Sequence, residues 1–332
     1  MNLSSISAVS VIIPEHNGGL NFRRCLQSLD DSDLPPEETI VVADGDTDGS
    51  WRVAEEFGAQ VLKTSEPRGP ARARNLGAHV SKGEILFFID ADVTVPQDAI
   101  TLVTNAFQCD PELAALFGSY DEAPFQTNFL SQYKNLFHHY VHQTANEEAF
   151  TFWGACGAVR REVFLATGGF DEGYRYPSVE DIEFGYRLKR SGYRIRLVKD
   201  LQVRHLKRWG VFSLLKADFF YRALPWTRLI LKKGGFIDDL NLRLSARISV
   251  VCVYAFVLSL CAVPFSPLLF VPAVIFAVML FILNWDLYRF FKNRRGLGFV
   301  LKTIPWHWLY FLYSGLAFAV GLAEYQIRKI MP

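Results

Sequence analysis

The chain has 332 residues, 50% hydrophobic and only 21% charged, which suits one large domain plus a further segment and excludes disordered and collagen-like classes. The formal net charge of +1 hides a split: residues 1–200 carry 18 Lys+Arg and 29 Asp+Glu, net −11, while residues 201–332 carry 17 and 5, net +12. An acidic front and a basic, apolar back raise the question of a membrane or anion-binding role for the back half. The five cysteines form no CxxC pair, which argues against a disulfide framework or a zinc site. Residues 1–10 lack a basic start and a long apolar run, so they do not read as a signal peptide, and the front half is expected in the cytoplasm.

In chain order, Val9–Ile13 reads as a strand and Leu20–Leu29 as a helix with Phe22, Leu26 and Leu29 on one face. Strand Thr39–Val42 and helix Ser50–Phe57 follow, then strand Gln60–Lys63, helix Pro70–Val80 and strand Ile85–Ile89. A helix is expected to open at Pro96, its favoured first position, and run through Gln108. This alternation predicts an α/β domain with a mostly parallel sheet and helices on both faces. Ligands of such sheets sit beyond the carboxyl ends of the strands. Those ends carry Pro14-Glu15-His16-Asn17, Ala43-Asp44-Gly45-Asp46-Thr47-Asp48-Gly49-Ser50 and Asp90-Ala91-Asp92. A Walker lysine loop and a GxGxxG after the first strand are both missing, so the P-loop and dinucleotide-binding readings fall away. What remains is a carboxylate-lined crevice. Two carboxylates one residue apart at a strand end can hold a divalent cation, which in turn binds a diphosphate.

Residues 9–205 resemble the family 2 glycosyltransferases of the Rossmann-like GT-A fold. Six segments occur in that family's order: residues 11–17, the Asp44-Gly45 turn ending Thr47-Asp48-Gly49-Ser50, Gly69-Pro70-Ala71-Arg72-Ala73-Arg74-Asn75, Asp90-Ala91-Asp92, Gly168-Gly169-Phe170-Asp171-Glu172 and Glu180-Asp181. The resemblance implies that Pro14 and Asp44, with Glu15 beside them, line the nucleobase and ribose pocket of a nucleotide-diphosphate sugar, a UDP-sugar first of all. It implies that Arg74 and Asn75 lie near the donor ribose and diphosphate, and that Asp90 binds the ribose side or a metal-bound water. Asp92 would ligate Mg²⁺ or Mn²⁺, with His205 completing the metal site or touching the diphosphate. Asp181 would be the general base, and Glu180 would position it or touch the acceptor. One base without a covalent nucleophile gives inversion, and Glu180 and Glu183 would raise the base's pKa. His16, Ala43 and Asp46 depart from the family's usual Tyr, Asp and Ser. The Gln-x-x-Arg-Trp signature of processive synthases is absent and Lys207-Arg208-Trp209 only echoes it, which favours transfer of a single sugar.

Past the domain expected over 1–205, residues 206–246 mix Trp209, Phe212, Phe219, Phe220 and Trp226 with Lys and Arg, as in helices lying on a membrane surface. Residues 247–332 then read as a transmembrane region. Ile248–Leu283 holds 36 residues without a charge, broken at Pro264 and Pro267, and Thr303–Ala323 holds 21 more. Spans are expected at about 247–265, 267–285 and 303–323. Basic residues before the first span and between the second and third place both segments in the cytoplasm by the positive-inside rule. The expected protein is integral to the cell membrane, with the catalytic domain cytoplasmic and a lipid or lipid-linked acceptor; no nucleic-acid partner is expected, and a homo-oligomer stays open. A polyprenyl-phosphate glycosyltransferase is the alternative within the family. A nucleotidyltransferase or a non-catalytic membrane scaffold are the alternatives outside it.

Overall fold

The computed structural model describes residues 8–233 and 242–330, in two compact units, one ending at Trp209 and one starting at Gly210. The N-terminal residues 1–7 and part of the interfacial segment, 234–241, lie outside the described residues.

The first unit opens with β1 (Val9–Glu15), α1 (Gly19–Asp30), β2 (Glu38–Asp44), α2 (Trp51–Glu56), β3 (Gln60–Thr64), α3 (Pro70–Val80) and β4 (Ile85–Ile89). Runs of Val, Ile and Phe with no polar alternation suit strands buried on both faces, and all five residues of β4 are buried. After β4 come β5 (Val93–Thr94), α4 (Ala99–Cys109), β6 (Leu113–Tyr120), α5 (Phe129–Gln143), β7 (Cys156–Arg160), α6 (Arg161–Ala166), α7 (Glu180–Arg190) and β8 (Arg194–His205). Helix α4 starts three residues later than expected. Pro96 sits in the turn before it and accepts the Ala99 N–H at 3.0 Å.

The eight strands form one sheet in the order β3-β2-β1-β4-β7-β6-β8-β5. The left half, β3-β2-β1-β4, is parallel as expected. Strand β7 runs antiparallel to both β4 and β6, and β5 pairs antiparallel with the end of β8. The sheet is thus mixed at the boundary where the parallel half ends, and the carboxyl ends of β1, β2 and β4 open on one side of it.

Helix α7 is held by an aromatic cluster. Phe184 packs on Phe152, Phe164 and Phe170 with centroids 5.0–5.4 Å apart, and Phe88 of β4 joins the same group. One position on, Gly185 lets the helix touch bare backbone: a Cβ there would lie 2.3 Å from the Phe152 nitrogen and 2.4 Å from the Thr151 carbonyl carbon. Gly185→Ala is therefore expected to push α7 outward at a cost of about 1–3 kcal/mol, read as a lower unfolding midpoint together with slower turnover.

The second unit is helical: α8 (Val211–Lys216), a π-helical turn at Ala217–Ala223, α9 (Leu224–Lys233), α10 (Leu244–Ala262), α11 (Phe270–Leu283), α12 (Trp285–Arg295) and α13 (Leu297–Ile330). Helices α10 and α11 pack against each other on either side of the Pro264–Pro267 break. Among the described residues one helix, α10, is long and apolar enough by itself to cross a membrane. Its 19 residues measure about 28 Å at 1.5 Å each, close to a bilayer core of roughly 30 Å. The expected second span passes only as a pair, Pro267–Leu283 with Trp285–Arg295, bent by 63°. The expected third span lies within the 34-residue α13, which is not among the described helices that are long and apolar enough to cross. Buried Asp218 in this unit is satisfied by the Tyr313 hydroxyl at 2.7 Å and by Arg222 at 2.8 Å.

Candidate active site

The site is built where β1, β2 and β4 end. At β1, Pro14 and Glu15 lead into a turn in which Asn17 adopts φ 52°. Its side-chain oxygen accepts the backbone N–H of Thr47 at 2.8 Å and of Asp48 at 3.1 Å, tying the first loop to the second. His16 Nδ1 lies 2.8 Å from the Asp44 carbonyl oxygen and adds a second tie.

Asp44 is buried, and its carboxylate collects three donors: the N–H groups of Arg68 and Gly69 at 2.8 and 2.7 Å, and the Thr64 hydroxyl at 3.0 Å. It thereby holds the loop that leads into α3. Gly69 in that loop has φ 95°, and a Cβ on it would strike the Arg175 carbonyl oxygen at 2.5 Å. The close approach brings the 171–177 loop over the start of α3.

Arg74 is the hub. Its guanidinium is 4% exposed, donating to Asp90 at 2.6 Å and to Glu180 at 2.9 Å. The residue after β4 and the residue opening α7, far apart in sequence, are thus joined through one planar fork. Asn75 points elsewhere: its amide exchanges hydrogen bonds with both the N–H and the carbonyl of Phe170 at 2.9 Å and reaches Glu172 at 2.9 Å. It clamps the Gly168–Glu172 segment.

Asp181 follows Glu180 on the first turn of α7. One oxygen accepts the Gly154 N–H at 3.1 Å and the other the Ile182 N–H at 2.8 Å. Burial raises its pKa, and the neighbouring Glu180 carboxylate raises it further; Gly154, Arg74 and Ile182 oppose them, and the net result is about 7. The group therefore changes charge near neutral pH.

Asp92 and His205 meet because β5 pairs with β8, setting Val93 opposite His205. His205 Nε2 lies 3.7 Å from an Asp92 oxygen, and Lys207 Nζ lies 3.9 Å from the same oxygen. Burial alone would raise the Asp92 pKa; the neighbouring His205 ring and the Lys207 ammonium outweigh it and bring it down to about 2. Tyr120 stacks on the His205 ring at 4.5 Å, fixing its plane.

The structure thus brings Arg74, Asp90, Glu180 and Asp181 into one chain of contacts, and Asp92 with His205 into a second that starts two residues after Asp90. Pro14, Glu15 and Asp44 sit in a third group at the ends of β1 and β2. Two features escaped the sequence. Lys207 lies two residues past His205, and the period of two along an extended chain could have put both on one face. Asp46 and Asp48 gather with Glu15, a carboxylate oxygen of each lying within 4.8 Å of the others, an acidic cluster able to hold a cation. Asp46 was visible as an unusual residue, but nothing in its spacing joins it to Glu15.

Residues 10–167 match the profile described as glycosyl transferase family 2. The uncharacterized glycosyltransferase YibD of Escherichia coli (strain K12) is 35% identical over 117 residues, covering 34% of this chain and 34% of YibD, so the chain spans about a third of that relative. The succinoglycan biosynthesis protein ExoA of Rhizobium meliloti (strain 1021) is 27% identical over 259 residues, 69% of this chain and 75% of ExoA. Among solved structures, the mannosyltransferase PcManGT from Pyrobaculum calidifontis, in complex with GDP-Man and Mn²⁺, superposes with a TM-score of 0.53 at 18% identity, covering 96% of this chain and 88% of that one. Residues 10–167 thus match glycosyl transferase family 2, and the chain has a GT-A-like α/β fold.

Proposed function

We propose that this protein transfers a single sugar, with inversion, from a nucleotide-diphosphate sugar to a hydroxyl of a membrane lipid or lipid-linked glycan. The observation that carries the reading is the Asp181 environment. Glu180 and Asp90 are both committed to Arg74, and Asp181 is the carboxylate left with spare lone pairs and a pKa of about 7. A carboxylate there can take the acceptor proton as the hydroxyl attacks the anomeric carbon. Pro14 and Asp44 frame the nucleoside end, and Arg74, through Asp90, anchors the diphosphate side.

Asp92 and His205 suit a divalent cation: a hard oxygen and an imidazole nitrogen 3.7 Å apart are spaced for neighbouring ligands of one ion. Bound there, Mg²⁺ or Mn²⁺ would supply charge stabilisation to the leaving diphosphate. Lys207 adds a positive charge at the same place and serves the same developing charge. PcManGT, of like fold, was solved with a nucleotide sugar and Mn²⁺, which supports this donor class.

The membrane part of the proposal rests on α10, on the bent pair after it, and on Arg243 and Arg247 just before the apolar run. A chain carrying its own membrane segments meets lipid acceptors at high local concentration. ExoA, named for succinoglycan biosynthesis, supports a saccharide acceptor over a nucleic acid or protein.

The test is turnover of a nucleotide-sugar panel by the full chain in detergent, with lipid extract as acceptor. UDP-sugars come first and GDP-mannose next. Release of nucleoside diphosphate that needs Mn²⁺ or Mg²⁺ and stops with EDTA is expected. Pyrophosphate released from a nucleoside triphosphate would instead mark a nucleotidyltransferase, and product on a polyprenyl phosphate oxygen would replace the hydroxyl acceptor.

A further inference from the structure

The first loop holds a carboxylate that the proposed reaction does not use. Glu15 is 1% exposed. One of its oxygens accepts the Gly18 N–H at 2.7 Å; the other, Oε2, is buried with no hydrogen-bond partner. A buried carboxylate oxygen without a partner is costly unless something positive satisfies it. The same carboxylate faces more negative charge. Asp46 and Asp48, from the loop after β2, each bring a carboxylate oxygen within 4.8 Å of a Glu15 carboxylate oxygen.

The two aspartates are held in place by their own loop. Asp46 Oδ1 accepts the N–H of Asp48 at 2.9 Å and of Gly49 at 3.1 Å, while its Oδ2 takes the Trp51 N–H at 2.8 Å. Asp48 Oδ1 takes the Ser50 N–H at 2.9 Å. Held this way, the oxygens are fixed before any ligand arrives, so little ordering is needed to bind one. Burial, then Asp46 and Asp48, raise the Glu15 pKa, the Gly18 hydrogen bond and His16 oppose them, and the net result is about 7.

We propose that Glu15, Asp46 and Asp48 form a second divalent-cation site, separate from Asp92 and His205, that clips the β1–α1 turn to the loop after β2. Three carboxylates without nitrogen or sulfur select a hard ion, Mg²⁺, Ca²⁺ or Mn²⁺, with water completing its shell. The site shares no residue with the Asp92–His205 pair. It joins the two loops that carry Pro14 and Asp44, so an ion there fixes the nucleoside end of the crevice. The site itself stands on the geometry; this last consequence rests on the function proposed above.

The experiment counts Mn²⁺ bound to the full chain in detergent by calorimetry and by electron paramagnetic resonance of free Mn²⁺. The starting variant is Asp92→Ala with His205→Ala, which removes the other site. One Mn²⁺ per chain is expected to remain. Adding Glu15→Gln, which keeps size and removes charge, is expected to weaken that ion by about tenfold or more. Asp48→Asn, at an exposed side chain, carries the same expectation should the Glu15 variant fail to fold, and a melting curve identifies that case. Loss of all Mn²⁺ in the Asp92/His205 variant overturns the second site, as does unchanged binding after Glu15→Gln or Asp48→Asn. None of these readouts requires sugar transfer, so they stand whether or not the proposed function holds.

Discussion

Asp181→Asn is expected to lower kcat by about 10²–10⁴-fold while leaving the nucleotide dissociation constant nearly unchanged. The amide keeps the size of the carboxylate and can still meet the Gly154 N–H through its oxygen, giving up only the local Ile182 N–H, so α7 stays in place. What it cannot do is accept a proton. The same residue sets a pH dependence in the unmutated protein. The carboxylate's pKa stands near 7, above its ordinary 3.8, so below pH 7 the base is increasingly protonated and kcat falls with pH. Above it the base is fully ionised and the acid limb disappears. Steady-state rates from pH 5 to 9 check the limb; Asp181→Asn should retain a small residual rate without it. Full turnover by this variant would remove Asp181 from the base role and the hydroxyl-acceptor reading with it.

Arg74→Met is expected to do more damage to the fold than any change on the surface of the crevice. The Glu180 side chain is 5% exposed and depends on the guanidinium for its charge balance. Removing one partner of a buried pair leaves the other carboxylate stranded, at a cost of about 3–5 kcal/mol. Asp90, a third exposed, recovers part of its loss by hydration. Arg74→Lys is not expected to rescue the protein, since one ammonium cannot donate along both arms of the fork at 2.6 and 2.9 Å. Thermal unfolding should show a lower midpoint for both variants. Arg74→Met combined with Glu180→Gln should recover part of the stability without recovering turnover, because the stranded charge is gone while the Asp90 contact is still missing.

Much of the first unit was legible in the sequence because its parallel strands are short, apolar and bounded by polar loops. Ile85-Leu86-Phe87-Phe88-Ile89 could hardly be anything but an interior strand, and Asp90 and Asp92 follow it by position alone. The pairing of Asp92 with His205 came from resemblance; the physical cause, the β5–β8 ladder, is two residues long and leaves no periodic mark. The roles of Asp44 and Asn75 in holding the loops over 66–69 and 168–172 were invisible, since hydrogen bonds to backbone depend on where distant loops pass. Strands β6 and β7 were missed in the same way: their antiparallel pairing is set by β4 and by one another, not by local alternation. In the second unit, the count of uncharged residues marked three runs, of which α10 alone is long and apolar enough by itself and the second passes only as a bent pair.

The β5–β8 ladder has one more implication. Val93 and Thr94 form the outermost strand of the sheet, the shortest in it, and their partners are His205 and Arg204. Val93 is fully buried in the main hydrophobic core, so packing as well as the short ladder holds this rim in place. Parting β5 from β8 would separate Asp92 from His205, so an ion bound between them would favour the paired rim by mass action.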